Sequence, residues 1–454
     1  MNPTGAPPSV PSERSTPLRQ FLGGLAVLIG ALTAEAQPVI AQGASAPLQP
    51  AVTRTAAGNQ SSLAPAAAEN LSLQPSPFKW GSVEFRPSVI DRFSYSDGIL
   101  TQPGHPANSY INTFSPSFLL DIGSHWTMDY SPSWVIYTNR EFHNSLNHSF
   151  RLAGAFTSQD WSLQFAQGYA KSSNTLIETA RQTKTQSSTT SLSVGYRFTD
   201  RLRLDSSNSQ DLQFVEAAPD SFVWSTQNWL DYRVSSRLNL ALGAGAGYVQ
   251  VYHSSDSYFL RPGARITLQA TDKLSLSLDG GRESRTFLGH GGRSLKSPTM
   301  NASLNYQPFK TTTLSFTGGR GVSVSYFAGA VTQTQSWSIA LSQRLLQHFV
   351  LSADLSGGKT HYEATQQVLI PDITVTDVTD ANGNPGQLTT VDFTSSSVID
   401  QRDDAYRAYS FNLSTTLLRH VTIAVFYQAS RNSSNVQAYG FSSHQIGAQL
   451  GFRF

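Results

Sequence analysis

The chain has 454 residues, of which 14% are charged and 11% aromatic, with 33 Gly, no Cys and only three Met. So little charge beside so many aromatics excludes an ordinary soluble globule and suits strands that face an apolar solvent on one side and water on the other. A net charge of +2 with no basic stripe excludes a nucleic-acid partner, and the lack of Cys excludes disulfides and thiolate metal sites while fitting export through an oxidising periplasm.

Arg14 and Arg19 precede an apolar run from Phe21 to Ala34, and Ala34-Glu35-Ala36 offers small residues where a signal peptidase reads. The run of about fourteen is short of the roughly twenty residues that a membrane-crossing helix needs. Residues 1–36 therefore read as a Sec-type signal peptide cleaved near Ala36. No Cys follows, so lipoprotein anchoring is excluded. Residues 37–79, rich in Ala, Pro, Gln and Ser without periodicity, read as a disordered periplasmic spacer.

From Trp80 onward the dominant signal is period-two alternation in blocks of ten to fifteen residues. Eight times a polar turn leads into an apolar-x-apolar start: Trp126, Trp161, Leu202, Leu238, Leu274, Leu314, Phe349 and Val421 each open one. The first seven lie 35 to 41 residues apart, the length of one hairpin of two membrane-length strands with its loops. Longer connections rich in Gly, Ser, Asn and Pro, such as Ser96 to Ser109 and Ser172 to Thr183, fall between them. Short turns alternating with long loops predict an all-β, transmembrane, antiparallel up-and-down barrel over residues 80–454, of about eighteen strands (16–20). Both termini then lie on the short-turn, periplasmic side.

Individual strands sort by face. In Leu238–Tyr248 the even positions are Leu, Leu, Leu, Ala, Ala and Tyr, and the odd ones Asn, Ala and Gly. Trp126, Trp134, Tyr137, Trp161, Tyr196, Phe198, Trp224, Tyr232, Tyr258, Tyr306 and Tyr427, near strand ends, are expected to form interfacial girdles. The final strand alternates Ile446, Ala448, Leu450, Phe452 and Phe454 with polar residues and glycines. This aromatic-ended strand resembles those of the Gram-negative outer-membrane barrel superfamily. The resemblance implies an outer-membrane location among its lipids, and Phe454, Phe452 and Leu450 as a signal read by the barrel-assembly machinery. Within the superfamily the layout, with its leader, no plug and Arg237-Leu238-Asn239-Leu240 repeats, resembles the β-barrel porins of exopolysaccharide and exosortase loci. That likeness transfers no functional residue, and it leaves a homotrimer open.

The inferred interior is mostly Ser, Thr, Gly, Gln and Asn. Its charged candidates for lining a pore are Arg86, Arg151, Arg197, Arg203, Arg233, Arg265 and Arg344 against Glu84, Asp121, Asp129, Asp231 and Asp354, joined by Arg453, Asp205 and Asp279. A barrel near eighteen strands leaves an aqueous channel unless plugged. The expectation is a porin-like channel passing small hydrophilic solutes with weak, slightly anionic selectivity. The alternatives are a barrel linked to extracellular polysaccharide export and a non-conducting structural or adhesion barrel. The acidic segment 363–404 reads as a constriction loop or as an outer hairpin. Its Asp380-to-Gly386 tip departs from a calcium loop, with Pro385 and Val391 where that loop needs Gly and Glu. Ser356-Gly357-Gly358-Lys359-Thr360 has Ala353 in place of the first Gly of a phosphate loop, and no nucleophile elbow or zinc-protease motif occurs. Neither an enzyme activity, a metal nor a cofactor is expected.

Overall fold

The computed structural model describes residues 78–454 except 217, 253, 289–293, 328, 347, 365–368, 380–384, 396–401 and 418–419. The expected signal peptide, and the expected spacer up to residue 77, lie outside the described residues.

A three-residue strand, β1 (Phe78–Trp80), folds back on the start of β2 (Val83–Gln102). The chain then runs up and down through β3 (His105–Ile122), β4 (Trp126–Tyr137), β5 (Ser145–Ser158), β6 (Trp161–Leu176), β7 (Arg181–Arg197), β8 (Leu202–Val215) and β9 (Ser221–Arg233). It continues through β10 (Leu238–Val251), β11 (Ser257–Thr271), β12 (Leu274–Phe287), β13 (Ser294–Phe309), β14 (Thr312–Val324), β15 (Ala330–Leu345) and β16 (Phe349–Ala364). A detached hairpin of β17 (Leu369–Thr379) and β18 (Pro385–Ser395) follows, and β19 (Asp403–Leu417), β20 (Val421–Ser434) and β21 (Phe441–Arg453) complete the wall. Each wall strand pairs antiparallel with its neighbour in the chain, β16 passing directly to β19, and β21 pairs with β2 from Ser88↔Arg453 to Asp97↔His444. The result is a closed antiparallel barrel of eighteen strands. Closure removes the unpaired edges that an open sheet would leave.

Wall strands run from 12 residues in β4 to 20 in β2, far beyond the five or six usual in a sandwich. One face carries a wide belt of exposed apolar side chains, including Leu242 (71% exposed), Leu260, Met300, Leu355, Val425 and Ile446. In β9 the belt is bounded by Tyr232 at the short-turn end and Trp224 at the other, roughly 27 Å along the strand at about 3.4 Å per residue. Trp161, Tyr196 and Phe198 cluster at the first boundary and Trp224 and Tyr248 at the second, two aromatic girdles on the outer surface. Tyr137, contrary to expectation, pairs with Ile111 on the inner face and packs against Phe142, so it belongs to no girdle.

At the long-loop end the ladders run further than hydrophobic alternation suggested. The stretch Ser96–Ser109 is mostly paired strand, continuing past two register shifts to Gln102↔His105. There Gly98 has φ of 64°, and a Cβ would stand 2.0 Å from the Ser442 carbonyl oxygen, so the close approach of β2 and β21 requires glycine. Likewise β6 and β7 stay paired to Leu176↔Arg181, leaving only four residues to turn. Beyond the apolar belt the adjacent residues Ile99 and Leu100 are both buried, in two different apolar clusters, so the strand is covered on both faces and backbone pairing persists while the period-two pattern fades.

Candidate functional site: the barrel interior and its bridged mouth

Because register fixes which side chains share a face, the belt of outer apolar residues assigns every other position to the interior. The structure places Arg86, Arg151, Arg197, Arg203, Arg233, Arg265, Arg344, Glu84, Asp121, Asp129, Asp231 and Asp354 on that inner face. Many stand in ion pairs along the wall. Arg86 donates to Glu84 at 2.9 Å and to Asp121 at 2.8 Å, Arg203 to Asp205 at 2.8 Å and to Ser162 at 3.1 Å. Arg197 reaches Asp160 at 3.0 Å on the short-turn rim. Asp129 and Arg151 are direct cross-strand neighbours, as are Arg203 and Asp231. Arg233 and Arg344 are exposed at the short-turn ends of β9 and β15, while Asp354 lies mid-wall between Ala340 and Ser410. The rest of the wall is filled by hydroxyl and amide groups, joined by contacts such as Ser88–Ser117 at 2.7 Å and Ser209–Ser225 at 2.8 Å.

A layered arrangement recurs three times on the inner face. Arg265 lies 4.2 Å above the Trp229 ring, and that ring lies flat over Gly243, where a Cβ would come within 2.4 Å of it. Across the barrel Arg92 sits 3.8 Å above Phe426, whose ring covers Gly447. Arg261 and Arg285 both stand 5.2 Å from the Phe259 ring, which covers Gly247. Glycine lets each ring press into the wall, and the ring's negative face then holds a guanidinium close to the wall. Glu283, with its side chain 1% exposed, is clamped between Arg261 and Arg285. Sequence alternation puts Arg92, Arg261, Glu283 and Arg285 inside too, but the stacking partners come from other strands and carry no local signal.

At the long-loop end the interior is bridged. Leu100 from the end of β2, Ile177 and Ala180 from the β6–β7 turn and Phe441 from β21 form a buried apolar cluster, with Tyr406 and Tyr439 against it. Beside it, the Glu178 carboxylate accepts hydrogen bonds from the Ser325 hydroxyl and, at 2.6 Å, from the Tyr326 backbone N–H. Ser325 and Tyr326 belong to the β14–β15 connection, eight strands around a ring of eighteen from the β6–β7 turn. The contact therefore crosses the mouth. Tyr326 also accepts from Gln213 on β8 at 2.8 Å, and the Gly329 N–H donates to Ser254 in the β10–β11 connection at 3.0 Å.

Arg402, just before β19, ties the bridge together. It pairs with Asp404 at 2.6 Å, both side chains 4% exposed, and stacks 3.7 Å over Tyr439 and 4.5 Å over Tyr362. Burial pushes the Glu178 carboxyl up to about 7, although the Ser325 and Tyr326 hydrogen bonds and the nearby Arg402 charge act in the opposite direction. No periodic signal marks Glu178 or Arg402, because both sit in connections. The acidic segment contributes the β17–β18 hairpin, paired from Leu369↔Ser395 to Thr379↔Pro385, and its tip at 380–384 lies outside the described residues.

No family model and no curated protein matches the chain. Among solved structures it is similar to OccK2 (OpdF) of Pseudomonas aeruginosa, at 12% identity and a TM-score of 0.41, covering 82% of this chain and 98% of that one. It is similar to OpdO of the same organism at 12% identity and a TM-score of 0.41, covering 82% and 97%. The siderophore receptor PirA from Acinetobacter baumannii gives 8% identity and a TM-score of 0.40, covering 83% and 81%.

Proposed function

We propose that the protein is an outer-membrane, porin-like channel for small hydrophilic solutes, with weak selectivity and a mouth narrowed by its own loops. The observation that carries this reading is the contrast between the two faces of one closed wall. Outside is an apolar belt between aromatic girdles, the surface a barrel presents to lipid. Inside is a polar surface whose charges are largely paired, in a ring wide enough for water. Delivery follows from residues 1–36 acting as a cleaved signal peptide and from the spacer that follows, whose expected last residues, Phe78 and Lys79, are instead taken up by β1. The outward Leu450, Phe452 and Phe454 then serve as the assembly signal, the last two with rings 4.7 Å apart.

A second reading, passage of polysaccharide, is favoured by the inward rings of Trp229, Phe259 and Phe426, since sugars stack on aromatic faces. Each ring is already covered by an arginine, so the small-solute reading is preferred. The test is single-channel recording of the refolded full chain in a planar bilayer under a salt gradient. Stable openings with a mild anion preference support the channel. Silence from folded, heat-modifiable protein rejects it in favour of a structural barrel.

A further inference from the structure

The outer surface carries a feature that solute passage does not use. Just beyond the apolar belt at the long-loop end, five exposed cations point outward along one arc: Arg282 on β12, Lys296 on β13, Lys359 on β16, Arg407 on β19 and Arg431 on β20. Their common face follows from register. Met300, 49% exposed in the belt, pairs with Arg320, Arg320 with Gln335, Gln335 with Lys359, and Arg407 with Arg431. Arg407 and Arg431 are thus direct cross-strand neighbours of like charge, an arrangement that destabilises a sheet unless an anion lies between them.

Among the described residues none of the five forms an ion pair with a carboxylate. Outward carboxylates above the arc are already engaged, Asp403 by His361 at 2.8 Å and Glu363 by Gln333 at 2.7 Å. Immediately below lie exposed Trp337, Leu355 and Tyr409, with Tyr409 6.1 Å from Tyr427. Unneutralised cations over an aromatic girdle stand at the height of lipid headgroups, within reach of phosphate oxygens.

We propose that this arc is a binding site for the phosphate-bearing headgroups of lipids in the leaflet at the long-loop end. The proposal rests on the membrane-barrel reading above. Guanidinium forks on Arg407 and Arg431 suit bidentate phosphate contacts, and the lipid chains would lie on the apolar belt beneath.

The experiment uses the refolded full chain in nanodiscs of zwitterionic phosphatidylcholine, alone or doped with diphosphorylated lipid A, with native mass spectrometry counting retained lipid. Heat-modifiability in phosphatidylcholine alone tests the membrane barrel separately, and failure to insert there sinks that reading and the site with it. Wild-type protein is expected to retain lipid A, and to lose retention when the lipid's phosphates are removed. Each cation replaced should weaken retention roughly fivefold, so Arg407→Gln with Arg431→Gln should weaken it roughly 25-fold. Should that double variant lose heat-modifiability, the exposed Lys359→Gln serves instead with a roughly fivefold loss. Equal retention by wild type and a folded variant, or of phosphorylated and dephosphorylated lipid, overturns the proposal. Displacement of the lipid by an equal concentration of inorganic phosphate also overturns it, by showing a free-phosphate site.

Discussion

Arg402 donates from Nη1 to the backbone carbonyl of Glu178 across 2.8 Å, although the two residues stand 224 positions apart in the chain. That bond, with the contacts of Glu178 to Ser325 and Tyr326, draws the β6–β7, β14–β15 and β16–β19 connections into one buried knot. Removing the guanidinium leaves Asp404 buried and unpaired, which typically costs about 3–5 kcal/mol. Arg402→Ala is therefore expected to release the bridge while the wall stays paired. Larger single-channel conductance and faster proteolysis in the loops at 177–180 and 325–329 would show it, whereas an unchanged channel would mean that the bridge does not set the opening.

The same bridge should respond to pH. Folding raises the Glu178 carboxyl from an ordinary value of 4.5 to about 7, mainly by burial. The closed arrangement consequently binds an extra proton between those values. Its stability is fullest below about pH 4.5, declines as pH rises through about 7, and is level above that. Ser325, Tyr326, Tyr362, Arg402 and Asp404 surround the group, and Glu178→Gln should keep the bridge closed at all these values. Open probability measured across this window should rise with pH in wild type and stay flat in the variant; parallel curves would remove Glu178 from the explanation.

Within the wall, Trp229→Ala would remove the surface on which Arg265 lies. The stack is worth about 0.5–2 kcal/mol, so a lowered midpoint of thermal unfolding is expected. Freed from the ring, the guanidinium would extend toward the axis and increase anion preference. Reversal potentials in a salt gradient would register that shift, and a shift toward cations would contradict the layered arrangement.

At the short-turn end, Arg86 balances two carboxylates. Arg86→Gln leaves Glu84 and Asp121 facing the interior without their shared cation. An unbalanced charge in a watery lumen is worth about 1 kcal/mol at close range, so the cation-to-anion permeability ratio should rise roughly fivefold. No change in that ratio would show that permeating ions do not pass near this pair.

Much of the barrel was legible because two signals agree along most strands. Alternation placed Leu238, Leu240 and Leu242 on one face, and the recurring short turns counted the hairpins, so eighteen strands and the inward charges followed from neighbours in the chain. Tyr137 failed because an aromatic at a strand end looks like a girdle member until the Ile111 register turns it inward. The ladder beyond Ser96 was hidden for a different reason: the neighbours Ile99 and Leu100 are both buried, in separate clusters, and a strand covered on both faces has no hydrophobic period of two. The bridge was least legible. Glu178, Ser325 and Arg402 are ordinary polar residues in three connections, and only closure of the ring brings them within reach of one another.

Closure also has a consequence for the order of folding. Gln445 donates to Ser94 at 2.9 Å over a separation of 351 positions, part of the seam where β21 meets β2. Until that seam forms, the otherwise paired sheet keeps two adhesive margins of unpaired backbone, one on β2 and one on β21. The seam also brings together segments from opposite ends of the described chain, the slowest class of encounter for a polymer. Partly built forms are thus both long-lived and prone to stick to one another.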